Sequence, residues 1–215
     1  MGACVKKLVA EFLGSFFLLV AVVGSGIMAT NLTTDVALQL LINALATIAT
    51  LHVVISLFVK SSGAHFNPVV TLGALYQKQI SPKNSAKYLL AQLLGAIAGT
   101  LFANAIFDLP TFQSSHSERF NHGTFLAEVL ATFGLILIVN LKGKDAAVLV
   151  PAWIGGAYFF TSSTSFANPS VTIAREFTNT FSGIAPSSVL PFIAAQLIGL
   201  VAAIAVLPYL AKEKK

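Results

Sequence analysis

Six long apolar runs, at roughly 8–29, 36–59, 89–107, 124–141, 146–163 and 188–209, constrain this chain more than any other feature. About 20 apolar residues in a helix match a hydrocarbon core of about 30 Å. In lipid the backbone must satisfy its own polar groups, so runs of this length fold as helices. Only 10% of the residues are charged, 56% are hydrophobic and the mean hydropathy is +0.82. A soluble domain carries about a quarter charged residues. The expectation is an all-α membrane protein with six spans. The fifth run is the weakest, because Pro151, Gly155 and Gly156 interrupt it and polar residues follow from Thr161. Membrane helices tolerate such residues where neighbours bond the freed backbone groups.

The net charge of +5 gains meaning from its distribution. With six spans and an inward N-terminus, Lys6, Lys7, Lys60, Lys78, Lys83, Lys87, Lys142, Lys144, Lys212, Lys214 and Lys215 fall on the cytoplasmic side. Only Arg119 and Arg175 fall outside. This asymmetry follows the positive-inside rule and orients the chain in a plasma (inner) membrane with both termini cytoplasmic. Nucleic acid is not needed to explain the basic residues. Cys4 is the sole cysteine, and the four histidines are scattered, so neither a disulfide framework nor a metal-ligand spacing is present. No cofactor is expected.

Three sequence blocks recur in one order. "AEFLGSFFLLVAV" at 10–22 shares six of thirteen residues with "AEVLATFGLILIV" at 127–139, including Glu11 and Glu128. "FNPVVTLG" at 66–73 matches "ANPSVTIA" at 167–174, and "AQLLGAIA" at 91–98 matches "AQLIGLVA" at 195–202. Each half holds three spans, so the second half enters the membrane in the opposite sense. The chain therefore divides into inverted halves of approximately 1–115 and 116–215 within one transmembrane domain, 1–215.

The segments 60–88 and 164–187 are too polar to cross fully, and each holds an Asn-Pro pair. Asn67 and Asn168 are favoured N-caps, and Pro68 and Pro169 suit the first helical position, where a missing N–H costs nothing. About ten residues make a helix of about 15 Å, half of the membrane core. Two re-entrant half-helices are predicted, with their N-termini meeting near the midplane. Each end carries about half a positive charge, so together they repel cations. The Asn side-chain oxygens cap the helices, leaving NH₂ groups to donate into the pore. Gly63, Ala64, His65, Phe166 and Ala167, in the extended approaches, are expected along the pore wall.

Over nearly its whole length the chain resembles the aquaporin (major intrinsic protein) family. "SGAHFNPVVTLG" is close to that family's first signature and "NPSVT" stands at the second, with Val69 and Ser170 replacing the usual alanines. The resemblance implies six tilted helices, two half-helices, a pore in each subunit and a homotetramer. It also implies a filter near the outer mouth, at positions set by their distance from the motif asparagines. Those distances select Thr47, Gly156, Ser165 and Val171. The family's filter arginine is replaced by Val171 and its aromatics are missing, which implies a wider, less polar filter. Such a filter resembles that of a bacterial branch associated with arsenic resistance, implying an aquaglyceroporin-like channel for glycerol, arsenite and other neutral metalloid hydroxides, with water.

Arg175, one turn beyond Val171, is within reach of the vestibule; its alternative partners are Glu176 or a carbonyl at the half-helix end. Glu11 and Glu128, intramembrane and symmetric, are expected to bond N–H groups of the re-entrant loops, with a proton relay as the alternative. His65 is either a pH gate or a neutral wall residue. His52 has no assigned role. The partners are small neutral solutes and membrane lipids. The alternatives are a water-selective aquaporin and, further off, a secondary transporter built on inverted repeats. No Ser–His pair supports an enzyme.

Overall fold

The computed structural model describes residues 2–141 and 145–210, and every regular element among them is helical. Helix α1 spans Ala3–Leu32, α2 Val36–Ser62, α3 Pro68–Tyr76 and α4 Pro82–Ile106. A second set follows: α5 at His122–Leu141, α6 at Ala146–Phe160, α7 at Pro169–Ala174 and α8 at Pro186–Leu210. Lys142, Lys144, Lys212, Lys214 and Lys215 lie outside the described residues.

Five helices are long and apolar enough to cross a membrane. The sixth, α6, is apolar but has 15 residues, about 22 Å of helix. Its end falls at Phe160, three residues short of the predicted run, because Thr161 leaves the helix with φ −115° and ψ 141°. Polar side chains and non-helical backbone continue from there towards the second Asn-Pro pair.

The two sets pack alike. Helix α1 lies on α2 and α4, while α5 lies on α6 and α8. Close approach depends on small residues: a side chain at Gly95 or Gly99 would collide with the carbonyls of Phe12 or Phe16 on α1. Gly199 is pressed in the same way against the Val129 carbonyl on α5. Lipid supplies no hydrophobic drive between helices, so this close packing is what joins them. The sets meet where α2 contacts α6 and where the half-helices α3 and α7 touch.

Two buried carboxylates shape the loops that enter the half-helices. Glu11 on α1 accepts from the Ser62 hydroxyl (2.6 Å), the His65 and Phe66 N–H groups (3.0 and 2.8 Å) and the Gln92 amide (2.8 Å). Glu128 on α5 accepts from the Ser163 hydroxyl (2.6 Å), the Phe166 and Ala167 N–H groups (both 2.8 Å) and the Gln196 amide (2.7 Å). Four donors converge on each carboxylate, in matched order. They hold a strained backbone: Ala64 and Phe66 have φ of 53° and 48°, and their counterparts Ser165 and Ala167 have 52° and 47°. For a non-glycine residue that conformation costs about 1–3 kcal/mol. The loops keep it because the carboxylates over-determine their shape.

Helix α6 contains Pro151, which has no N–H to offer the Ala147 carbonyl one turn earlier. His52 on α2 fills that gap, with Nδ1 2.7 Å from the Ala147 carbonyl oxygen. A carbonyl only accepts, so the His52 proton sits on Nδ1. The histidine without a role in the sequence is thus the partner that lets a proline stand in a membrane helix.

Two predictions follow from these contacts. His52→Leu leaves a carbonyl unbonded and is expected to cost about 1–3 kcal/mol of stability. In a Pro151→Ala background, where the helix bonds its own carbonyl, the cost shrinks; thermal unfolding of the four proteins in detergent reads the cycle. Glu128→Gln turns one acceptor oxygen into a donor facing donors. It is expected to lower the yield and melting temperature of purified protein, whereas a stable variant with altered solute selectivity alone contradicts the supporting role.

Candidate functional site

A cavity of about 430 Å³ runs between the two helix sets. Gln79 and Asn140 line its inner part, Asn67 and Asn168 its middle, and Thr47, Tyr158 and Arg175 its outer part. Apolar side chains from α1, α2, α5 and α6 form much of the remaining wall. Among the described residues, no carboxylate lines it.

The middle is built by the two Asn-Pro pairs. Asn67 Oδ1 accepts from the Val69 N–H (3.0 Å), and Asn168 Oδ1 accepts from Ser170 and Val171 (3.0 and 3.3 Å). These bonds cap α3 and α7, with proline at the first position of each. The amide nitrogens do something the sequence did not reveal. Asn67 Nδ2 donates to the Ala167 carbonyl and Asn168 Nδ2 to the Phe66 carbonyl, both at 2.8 Å. Each asparagine therefore ties its own half-helix to the loop that feeds the other. One N–H of each amide is committed to that lock, and one remains for a molecule in the cavity.

Around this centre, Gly63, Ala64, His65, Ser165, Phe166, Ala167 and Val171 also reach the cavity wall. Pro68, Val69, Pro169 and Ser170 are not on it; they form the first turns of the half-helices behind the asparagines. His65 Nδ1 lies 3.0 Å from the Thr71 hydroxyl, and its ring packs edge-on against Tyr88. Ser165 is 3% exposed and its buried hydroxyl has no hydrogen-bond partner.

The outer mouth corrects one filter position. Gly156 is not on the cavity wall; it is exposed on the outer side of α6, beside the Phe160 ring. Tyr158 stands on the wall instead, so the expectation of a filter without aromatics fails as well. The reason is helical phase. Val150, Ile154 and Tyr158 are spaced by four residues and share the cavity face of α6, whereas Gly156 is turned about 200° from Ile154. Counting twelve residues back from Asn168 crosses the non-helical stretch from Thr161 to Ala167, and the count lands on the wrong face. The spacing of Val150, Ile154 and Tyr158 was the available signal.

Tyr158 is held in place across the mouth. Thr47 Oγ1 donates to the Asn43 carbonyl (2.8 Å), so the 3.1 Å contact between Thr47 and Tyr158 is donated by the tyrosine. Both oxygens then have acceptor capacity left. Arg175 is 4% exposed, and its Nε donates to the Ser182 carbonyl. Its guanidinium lies 3.5 Å from the Phe166 ring centroid, a cation–π contact that fixes the plane of the charge. Arg175 lines the cavity, and its bonded partner is neither Glu176 nor a carbonyl at the half-helix end but the Ser182 carbonyl in the loop beyond. Arg119, in the outer connection, bonds the Gly183 and Phe181 carbonyls and lies 5.5 Å from the same ring.

Comparison with known proteins agrees with this architecture. The family model described as Major intrinsic protein matches residues 2–162, a stretch that ends before the second Asn-Pro pair. An aquaglyceroporin, AqpS, of Rhizobium meliloti (strain 1021) is 46% identical over 209 residues, covering 95% of this chain and 90% of that protein. A probable TIP-type aquaporin of Antirrhinum majus is 31% identical over 189 residues, covering 81% and 75%. The fold matches the X-ray structure of the aquaglyceroporin from Plasmodium falciparum with a TM-score of 0.68, 23% identity and 95% coverage of both chains. With its paired half-helices and one continuous cavity between them, the chain belongs to the major intrinsic protein (aquaporin) family.

Proposed function

We propose that this chain is a passive membrane channel for small neutral solutes, glycerol and neutral metalloid hydroxides such as arsenious acid among them, with water. The observation that carries this reading is the cavity: it passes between two half-helix N-termini and its wall holds amides and hydroxyls but no described carboxylate. Hydroxylic solutes both donate and accept. The free amide N–H groups of Asn67 and Asn168 supply donors, and Tyr158 and Thr47 supply acceptors. Among the described residues, that wall offers no carboxylate to hold a coupling cation. The similarity to an aquaglyceroporin over most of both chains supports the solute class.

Thr47, Tyr158, Ser165 and Val171 form the outer filter in this reading, with Glu11 and Glu128 as supports outside the conduction path. The protein works in the plasma (inner) membrane with both termini cytoplasmic, as a homotetramer of subunits that each carry a pore. A water-selective reading has one observation in its favour: an aromatic side chain, Tyr158, stands on the outer wall, bonded to Thr47.

Stopped-flow light scattering on proteoliposomes separates the two. The parent is expected to pass glycerol and arsenious acid alongside water; fast water flux with no solute flux overturns the solute reading. Tyr158→Ala is expected to raise glycerol flux relative to water severalfold. Gly156→Ala, on the outer side of α6, is expected to leave the ratio unchanged. If Gly156→Ala shifts the ratio and Tyr158→Ala does not, the filter has been assigned to the wrong face of the helix.

A further inference from the structure

Val171 leaves the outer filter without a charge on the half-helix position where the family carries arginine, yet the cavity still meets a guanidinium one turn later. We infer that Arg175 is the charge-selective residue of this pore: it supplies from the end of the half-helix the fixed positive charge that excludes protons and other cations, with its plane set by Phe166 and Ser182. This rests on the channel reading above.

Three observations carry it. Arg175 lines the cavity and is almost entirely enclosed. Only its Nε is committed, to the Ser182 carbonyl, so among the described residues neither Nη group has a hydrogen-bond partner, and the residue lines the cavity. The hydroxyl of Ser165, on the same wall, is also buried and unpartnered. A neutral solute at the mouth is therefore offered guanidinium donors from one side and the Tyr158 and Thr47 oxygens from the other. A cation gains from the oxygens but is repelled by the guanidinium, in a narrow site where screening is weak.

Arg119 strengthens the same field. Its guanidinium is tied to the Phe181 and Gly183 carbonyls and shares the Phe166 ring with Arg175. Two cations near one ring make the mouth a positive collar, although neither stands at the position the family motif uses. Val171, on the same wall, is uncharged. Charge in this pore then comes from the residue that follows the half-helix, one turn beyond Val171, and not from Val171 itself.

The test is proton flux in proteoliposomes carrying an internal pH dye, driven by a potassium diffusion potential, with glycerol flux measured on the same preparation. The parent is expected to conduct glycerol but not protons. Arg175→Gln is expected to raise proton flux relative to glycerol flux about tenfold or more, as loss of a nearby fixed charge implies. Adding Val171→Arg to that variant is expected to restore the barrier. Arg175→Met, which keeps the stem against Phe166, replaces Arg175→Gln if the latter does not reach the membrane. A parent that leaks protons, or a neutral variant that conducts glycerol and stays proton-tight, overturns the assignment of Arg175. A parent that conducts neither fails the channel reading itself.

Discussion

The structure depends on a pair of hydrogen bonds from side-chain amides at its centre. Asn67 and Asn168 each cap one half-helix through oxygen and grip the opposite loop through nitrogen. Everything else can be read as support for holding four atoms in that arrangement inside a membrane. The loops need left-handed backbone at non-glycine residues to bring the Phe66 and Ala167 carbonyls into range. Glu11 and Glu128 hold that backbone from behind, and Gln92 and Gln196 join each carboxylate to a half-helix threonine. Glycines on α4 and α8 then bring the helices that carry these groups close enough to reach.

The lock has a functional side. Alternating access in a transporter of inverted repeats requires one unit to rock against the other around a fixed site. Here the two units are tied to each other at that site by reciprocal bonds. A cavity locked in this way conducts by leaving a path open, and its selectivity must come from the chemistry of the path. The path carries donors at its middle from the asparagines and acceptors near its outer mouth from Tyr158 and Thr47, with guanidinium charge beside them. That arrangement favours molecules with hydroxyl groups and no charge.

Much of this was legible in the sequence, for physical reasons that differ from residue to residue. The half-helices were legible because an asparagine cap followed by proline is a local signal that does not depend on tertiary contacts. The carboxylates stood out because charge inside an apolar run needs a partner, and the symmetry of Glu11 and Glu128 pointed to equivalent partners. The reciprocal hydrogen bonds from these amides were not legible, since they join residues about a hundred positions apart through side-chain orientation alone. Tyr158 was missed because distance along the chain was used where helical phase decides. The role of His52 required knowing that α2 passes the first turn of α6, although Pro151 announced that some carbonyl would need a donor.

The central claim is that this pore is a static, locked path for neutral solutes. The most direct measurement is glycerol influx into proteoliposomes as the glycerol gradient is raised, with and without opposing sodium and proton gradients. The locked pore predicts a rate that rises in proportion to the gradient and ignores both ions. A rate that saturates and follows an ion gradient would contradict it, and would mean that the two halves move against each other despite the bonds at their centre.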